Sequence, residues 1–188
     1  MFNKLLLTTA LAMTLGTSAF SESYKIDTEG AHASINFKVS HLGYSFVIGR
    51  FDSFNGNFEF DADKPETGSV TVEIAMDSVN SNHGARDNHL RSADFFDASN
   101  NPTASFVSTA IQKTGGKTAV ITGDLTISGI TKSIALDTVF IGEGKDPWGG
   151  YRAGFSATTM INLSDYDMGG VIGDAQVALS IIAEGIRQ

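Results

Sequence analysis

Between Ala33 and Ser40 the chain alternates without a break. Ala33, Ile35, Phe37 and Val39 are apolar, and Ser34, Asn36, Lys38 and Ser40 are polar. A period of two puts every apolar side chain on one face of an extended strand, so one face is buried and the other wet. The pattern returns in Phe58-Glu59-Phe60, Val70 to Ile74, Leu125-Thr126-Ile127, Phe155 to Leu163 and Val177 to Ile181. Turn chemistry separates these runs. Asn55-Gly56 between Phe54 and Phe58 predicts a tight hairpin, since Asn-Gly accepts positive φ readily, and Gly115-Gly116 predicts another. The count comes to eight or nine strands, with most of the 20 glycines at turns or bends. Neighbouring strands on short turns form an antiparallel meander, and eight or so long strands close into a barrel that leaves no free edge. The expected fold class is all-β: an antiparallel eight-stranded β-barrel with one short helix.

That helix is expected within Asn82 to Phe96, capped by Ser81 or Asn82, with Ala85, Leu90 and Ala93 as a narrow apolar stripe. The segment carries the densest ionisable cluster of the chain: His83, Arg86, Asp87, His89 and Arg91. Imidazole and carboxylate suit zinc or copper. His83, Asp87 and His89, however, stand at i, i+4 and i+6, which do not converge on one point of a regular helix. Structural ion pairs and recognition of a polar head group at a barrel mouth are the other two readings. No metal and no cofactor is expected.

The first residues predict export. Lys4 precedes an apolar run from Leu5 to about Gly16, and small residues follow through Ser21. This is the order of a secretory signal peptide, and the run is shorter than the roughly 20 residues that a membrane-spanning helix needs. Cleavage fits after Ala19 or after Ser21; Ser21 is favoured because Tyr24-Lys25-Ile26-Asp27 already reads as ordered chain. The expected division is a cleaved segment, residues 1–21, and a single domain, residues 22–188, located in the periplasm. A domain of that size buries roughly 70% of its unfolded surface, and the absence of cysteine leaves it to rely on its core.

Loss of Lys4 leaves twelve of the thirteen basic residues against twenty-one acidic ones, a net charge of −9. Such a surface is repelled by nucleic acid and by anionic head groups, so nucleic-acid binding is excluded and membrane contact would have to be local and apolar. No stable membrane insertion is expected, and the sequence leaves the oligomeric state open.

No nucleophile elbow, phosphate loop, dinucleotide fingerprint or H-E-x-x-H motif is present. His32 falls on the wet face of the first alternation and reads as solvated, with His41 just beyond that strand. Asp61/Asp63 and Asp165/Asp167 read as turn residues, and the sequon Asn162-Leu163-Ser164 as chance. Thirteen Phe, four Tyr and one Trp are more informative. Many lie on inward faces, where they either fill a core or line a cavity, because a barrel of eight strands can hold one small ligand. Periodicity leaves both open.

Three segments resemble the YceI-like family of periplasmic lipid- or polyisoprenoid-binding proteins: Tyr24-Lys25-Ile26-Asp27 through His41-Leu42-Gly43-Tyr44-Ser45, Arg86-Asp87-Asn88-His89-Leu90-Arg91-Ser92-Ala93-Asp94-Phe95-Phe96, and Gly123-Asp124-Leu125-Thr126 with Gly129-Ile130-Thr131-Lys132 through Asp146-Pro147-Trp148-Gly149-Gly150 and Arg152-Ala153-Gly154-Phe155. The resemblance runs in order along essentially the whole mature chain. It implies an extended, lipocalin-like barrel whose interior takes an isoprenoid chain, with no catalytic step.

The leading expectation is therefore a periplasmic carrier for an isoprenoid or quinone-type lipid. Phe37, Val39, Phe58, Phe60, Val72, Ile74, Phe106 and Phe155 would line the tunnel, and His89 and Arg91 would meet the polar head. The alternatives are a stress-associated enzyme using His83, Asp87 and His89, or a scaffold with a packed core and no ligand.

Overall fold

The computed structural model describes residues 21–168, 170 and 173–188. The expected signal segment, apart from Ser21, lies outside the described residues. Eight strands pair antiparallel into a closed ring: β1 (Glu22–Ile26), β4 (Phe54–Phe60), β5 (Ser69–Ala75), β7 (Thr103–Lys113), β8 (Thr118–Ile127), β9 (Ile130–Lys145), β10 (Tyr151–Asn162) and β11 (Gln176–Arg187). The ring closes where β11 returns to β1. The predicted barrel is thus the observed one.

Three further strands, β2 (Ser34–His41), β3 (Ser45–Phe51) and β6 (Val79–Asn80), extend the sheet beside the ring. They find room because β11 is long enough to serve two partners. Its first half, Val177 to Ile182, pairs with β2, and its last residues, Gly185 to Arg187, pair with β1.

That seam is short, with three residue pairs, and an ion network fastens it. Arg152 on β10 donates through Nη1 to Asp27 and to Glu184, each at 2.6 Å, and through Nε to Asp146 at 2.8 Å. The Asp27 and Asp146 side chains are buried. The guanidinium, joined by the Gly30 N–H and by His32, holds the Asp27 carboxyl down at about 2. Arg152 likewise lowers Asp146, and the carboxylates push Arg152 further up. His32, read from the sequence as a solvated strand residue, instead precedes β2. Half-exposed, it rests with Nδ1 3.1 Å from Asp27.

Two local readings are corrected. Asn55-Gly56 is not a turn but the middle of β4, with Asn55 opposite Glu73 and Gly56 opposite Val72. Gly56 is there for close approach: a Cβ would stand 2.5 Å from the Thr71 carbonyl oxygen and 3.0 Å from Ile26 Cδ1. The helix, α1 (Gly84–Arg91), is capped by neither Ser81 nor Asn82. His83 caps it, its Nδ1 accepting from the Arg86 N–H at 3.2 Å. Ser81 is unavailable because its N–H and hydroxyl both donate to Asp87. Among the described residues no helix is long and apolar enough to cross a membrane.

Candidate functional site: an apolar cavity in one half of the barrel

The two halves of the barrel interior differ. Toward the α1 end, Met76, Ala104, Ile127, Leu163, Tyr166, Met168 and Val177 pack into a closed cluster. Toward the other end the walls stand apart around a cavity of about 320 Å³. This is at the lower end of the roughly 300–1,000 Å³ common for ligand sites. Phe106, Leu125, Leu136 and Ala157 belong to the closed cluster and also line the cavity, so they form its floor.

Alternation builds the wall. Along β9 the even positions Ile134, Leu136, Thr138 and Phe140 face the cavity, while Ala135, Asp137 and Val139 face out. Phe58, Phe60, Phe140 and Phe155 form an aromatic side. Phe155 meets Phe58 edge-on at 5.4 Å and Phe60 edge-on at 5.0 Å, and Phe140 lies 5.1 Å from Phe60. Tyr24 stacks on the far face of this group at 4.9 Å from Phe58. These rings share their edges and faces in the geometries that aromatic quadrupoles favour, which fixes the wall. Gly185 permits the arrangement, since a Cβ there would collide with the Phe58 ring.

Polar groups on the lining are few. The Thr138 hydroxyl is turned onto the Leu136 carbonyl oxygen at 3.2 Å, so it is already satisfied. Charge gathers at the rim, where Glu59, Lys113 and Lys117 line the opening together with the Gly115-Gly116 turn. Lys117 Nζ donates to the Ile141 carbonyl oxygen at 3.2 Å and lies 5.7 Å from the Phe140 ring centroid.

Of the residues named from the sequence, Phe58, Phe60, Val72, Ile74, Phe106 and Phe155 lie on the cavity wall. Phe37 and Val39 pack against the closed cluster instead, Phe37 beside Phe51 at 5.9 Å. His89 and Arg91 stand at the opposite end from the rim. Ser69, at the start of β5, lines the cavity, while its other end, Ala75, leads through Met76–Ser78 and β6 to α1. Arg91 Nε pins the helix there by donating to the Asp77 carbonyl oxygen at 2.8 Å, and His89 pairs outward with Asp94 at 3.2 Å. His83, Asp87 and His89 do not meet: Asp87 is buried against Ser81. Burial raises the Asp87 carboxyl, yet the two Ser81 donors and the nearby arginines outweigh it and leave it lowered.

The sequence reading missed Phe140, Ile111, Ile134, Leu136, Leu179 and Ile181 on the wall, and the rim lysines. The signal for β9 was present in its even positions, but the apolar outward residues Ala135, Val139 and Ile141 hid the period.

Asp27, His32 and Glu184 each offer a ligand atom within 4.8 Å of one another. A cation already stands between the two acids, the Arg152 guanidinium. The cluster is an ion network that serves the seam.

A model of the YceI-like domain matches residues 24–184. The chain belongs to the YceI-like family. A UPF0312 protein of Ectopseudomonas mendocina is 51% identical over 176 residues, covering 93% of this chain and 92% of that one. The crystal structure of the YceI protein of Campylobacter jejuni superposes with a TM-score of 0.71 at 31% identity, over 79% of this chain and 90% of that one. A polyisoprenoid-binding domain from Saccharophagus degradans, 15% identical, shares the fold with a TM-score of 0.67 over 89% of this YceI-like chain and 99% of that domain.

Proposed function

We propose that this YceI-like protein is a periplasmic carrier that holds the hydrocarbon chain of an isoprenoid-type lipid inside its barrel and performs no chemistry on it. The observation that carries the reading is a cavity with an apolar wall, a closed floor and charges only at its rim. Each buried CH₂ contributes roughly 0.8 kcal/mol, so each five-carbon unit contributes about 3–4 kcal/mol before ordering costs. An apolar pocket of roughly 150 Å³ already takes up benzene, so the present one has room for several carbons beyond a ring. The polyisoprenoid-binding domain of Saccharophagus degradans, which has the same fold, supports the ligand class.

Lys113 and Lys117 at the rim are placed to meet the polar end of a polyprenyl or quinone-type molecule, a role that the sequence had offered to His89 and Arg91. The signal-like N-terminal segment, the acidic surface and the absence of cysteine support the periplasmic location. The enzyme alternative loses support because His83, Asp87 and His89 are remote from the cavity, and the packed-core alternative because the interior holds a cavity of about 320 Å³.

Mass spectrometry of an organic extract of the purified mature protein tests the ligand, with an isoprenoid chain as the expected result; protein that extracts empty and takes up no polyprenyl lipid refutes it. N-terminal sequencing tests export: Glu22 as first residue of a periplasmic protein is expected, and Met1 retained on a cytoplasmic protein refutes the location.

A further inference from the structure

The hairpin of β2 and β3 presents an apolar stripe to solvent. Leu42 is 77% exposed, Tyr44 89%, Phe46 60% and Ile48 65%. Phe46 and Ile48 point away from the barrel, while Gly49 is buried on the other face. At the tip, Leu42 and Gly43 both take positive φ, +53° and +76°, and the Tyr44 N–H donates to the His41 carbonyl oxygen at 3.0 Å. A branched side chain is strained there, so the turn holds an exposed leucine in a conformation that glycine or asparagine would adopt more easily.

The same strand has an open edge. On one side β3 pairs with β2 along its whole length. On the other, among the described residues, β6 takes only Arg50 and Phe51, which leaves the outer backbone groups of Ser45 to Ile48 unpaired. Sheet edges are normally guarded by lysine, proline or an inward charge. From Leu42 to Gly49 this chain has none of these, and no charge at all in a protein of net charge −8.

We infer that the free edge and outer face of β3 form a two-fold interface with a second copy of this chain. An open antiparallel edge is completed by another strand edge, and two identical edges meet isologously about a two-fold axis. The register is constrained, because a one-residue slip would turn barrel-facing residues outward. An axis at Val47 is closed off, because it would set the partner's Tyr44 against Arg50, whose outer edge β6 already holds. An axis at Phe46 sets Tyr44 against the partner's Ile48. That register uses only the free part of the edge and sets the apolar stripes of the two copies side by side, with Lys38 Nζ 4.6 Å from the Phe46 ring centroid in each. A bilayer is the rival occupant, but the hairpin lies at the wrong end for lipid exchange: Val39 pairs with Val177 at the closed end of the barrel, and the tip continues beyond it, away from the rim.

Sedimentation equilibrium of the mature protein at micromolar concentration tests this, with Ile48→Glu and Phe46→Lys as variants. Both sites are exposed, so folding should persist, which circular dichroism checks. Twice the chain mass is expected for the wild type and the single-chain mass for both variants. A wild type that sediments as one chain overturns the inference, and so does a dimer that survives both substitutions. Ile48-dependent flotation of a monomeric wild type with phosphatidylcholine vesicles assigns the stripe to a bilayer instead and overturns it too.

Discussion

Arg152 and Asp27, 125 positions apart in sequence, meet at 2.6 Å across the seam that closes the barrel. The contact is a clamp: Asp27 follows the last residue of β1, and the same guanidinium holds Glu184 on β11. Arg152→Ala would leave the buried Asp27 carboxylate without its main partner, and an orphaned buried charge is strongly destabilising. A fall of roughly 10 °C in Tm is expected. Arg152→Lys should recover only part of it, since one ammonium cannot reproduce a planar fork that reaches three carboxylates. Thermal melts of the two variants beside the wild type check this; an unchanged Tm for Arg152→Ala would remove the clamp from the account of closure.

The same pair sets an acid response. Asp27 titrates near 2 in the folded protein and near the ordinary value of 3.8 when unfolded. With the folded value depressed, the unfolded chain takes up the proton first as pH falls. The stabilisation is therefore complete above about pH 4 and is lost as pH drops from there through about 2. Melting temperature followed from pH 6 to pH 2 should fall in that window for the wild type and fall less steeply for Arg152→Ala. Parallel curves would show that the acid response arises elsewhere.

The ring of strands was legible in the sequence because alternation is local and survives in any register. The seam network was not. Nothing near Asp27 announces an arginine 125 residues later, and the pairing arises only when β10 and β11 return beside β1. Gly56 was misread for a related reason: Asn-Gly is a turn signal when its surroundings are free, but here the backbone at Thr71 and Val72 crowds the position and holds it extended. His89 and Arg91 were placed at a barrel mouth on their chemistry alone. Which end of the barrel α1 occupies depends on the direction of β5, and that is a property of the closed sheet.

Tyr166 offers a stability test with the opposite sign. Its hydroxyl is buried in the closed cluster and, among the described residues, has no hydrogen-bond partner; burial pushes its ionisation up to about 12. An unpaired buried hydroxyl costs about 1–3 kcal/mol of desolvation. Tyr166→Phe removes the oxygen and keeps the ring, so an equal or higher Tm is expected, by a few degrees at most. A clear loss of stability would mean that the hydroxyl has a partner in solution, such as an ordered water.

Val72 and Phe37 separate the cavity from the packed half of the barrel. Val72 lines the cavity, whereas Phe37 packs beside Phe51 and against the closed cluster. Val72→Phe places a ring in the hollow and should exclude lipid while costing little stability. Were that space filled, the same substitution would overpack it at about 1–3 kcal/mol. Phe37→Ala should do the reverse. It should lower Tm markedly, since truncation of a core phenylalanine costs about 3–5 kcal/mol when fully buried and less here, and leave lipid uptake unchanged at temperatures where the variant is folded. Both variants must be compared with ligand-stripped wild type, because bound lipid itself raises Tm. Lipid content by mass spectrometry and Tm, read on the same samples, decide the matter. If Val72→Phe retains lipid and Phe37→Ala loses it in a folded state, the ligand chain runs through the α1 half of the barrel and the floor drawn at Leu125, Leu136 and Ala157 is misplaced.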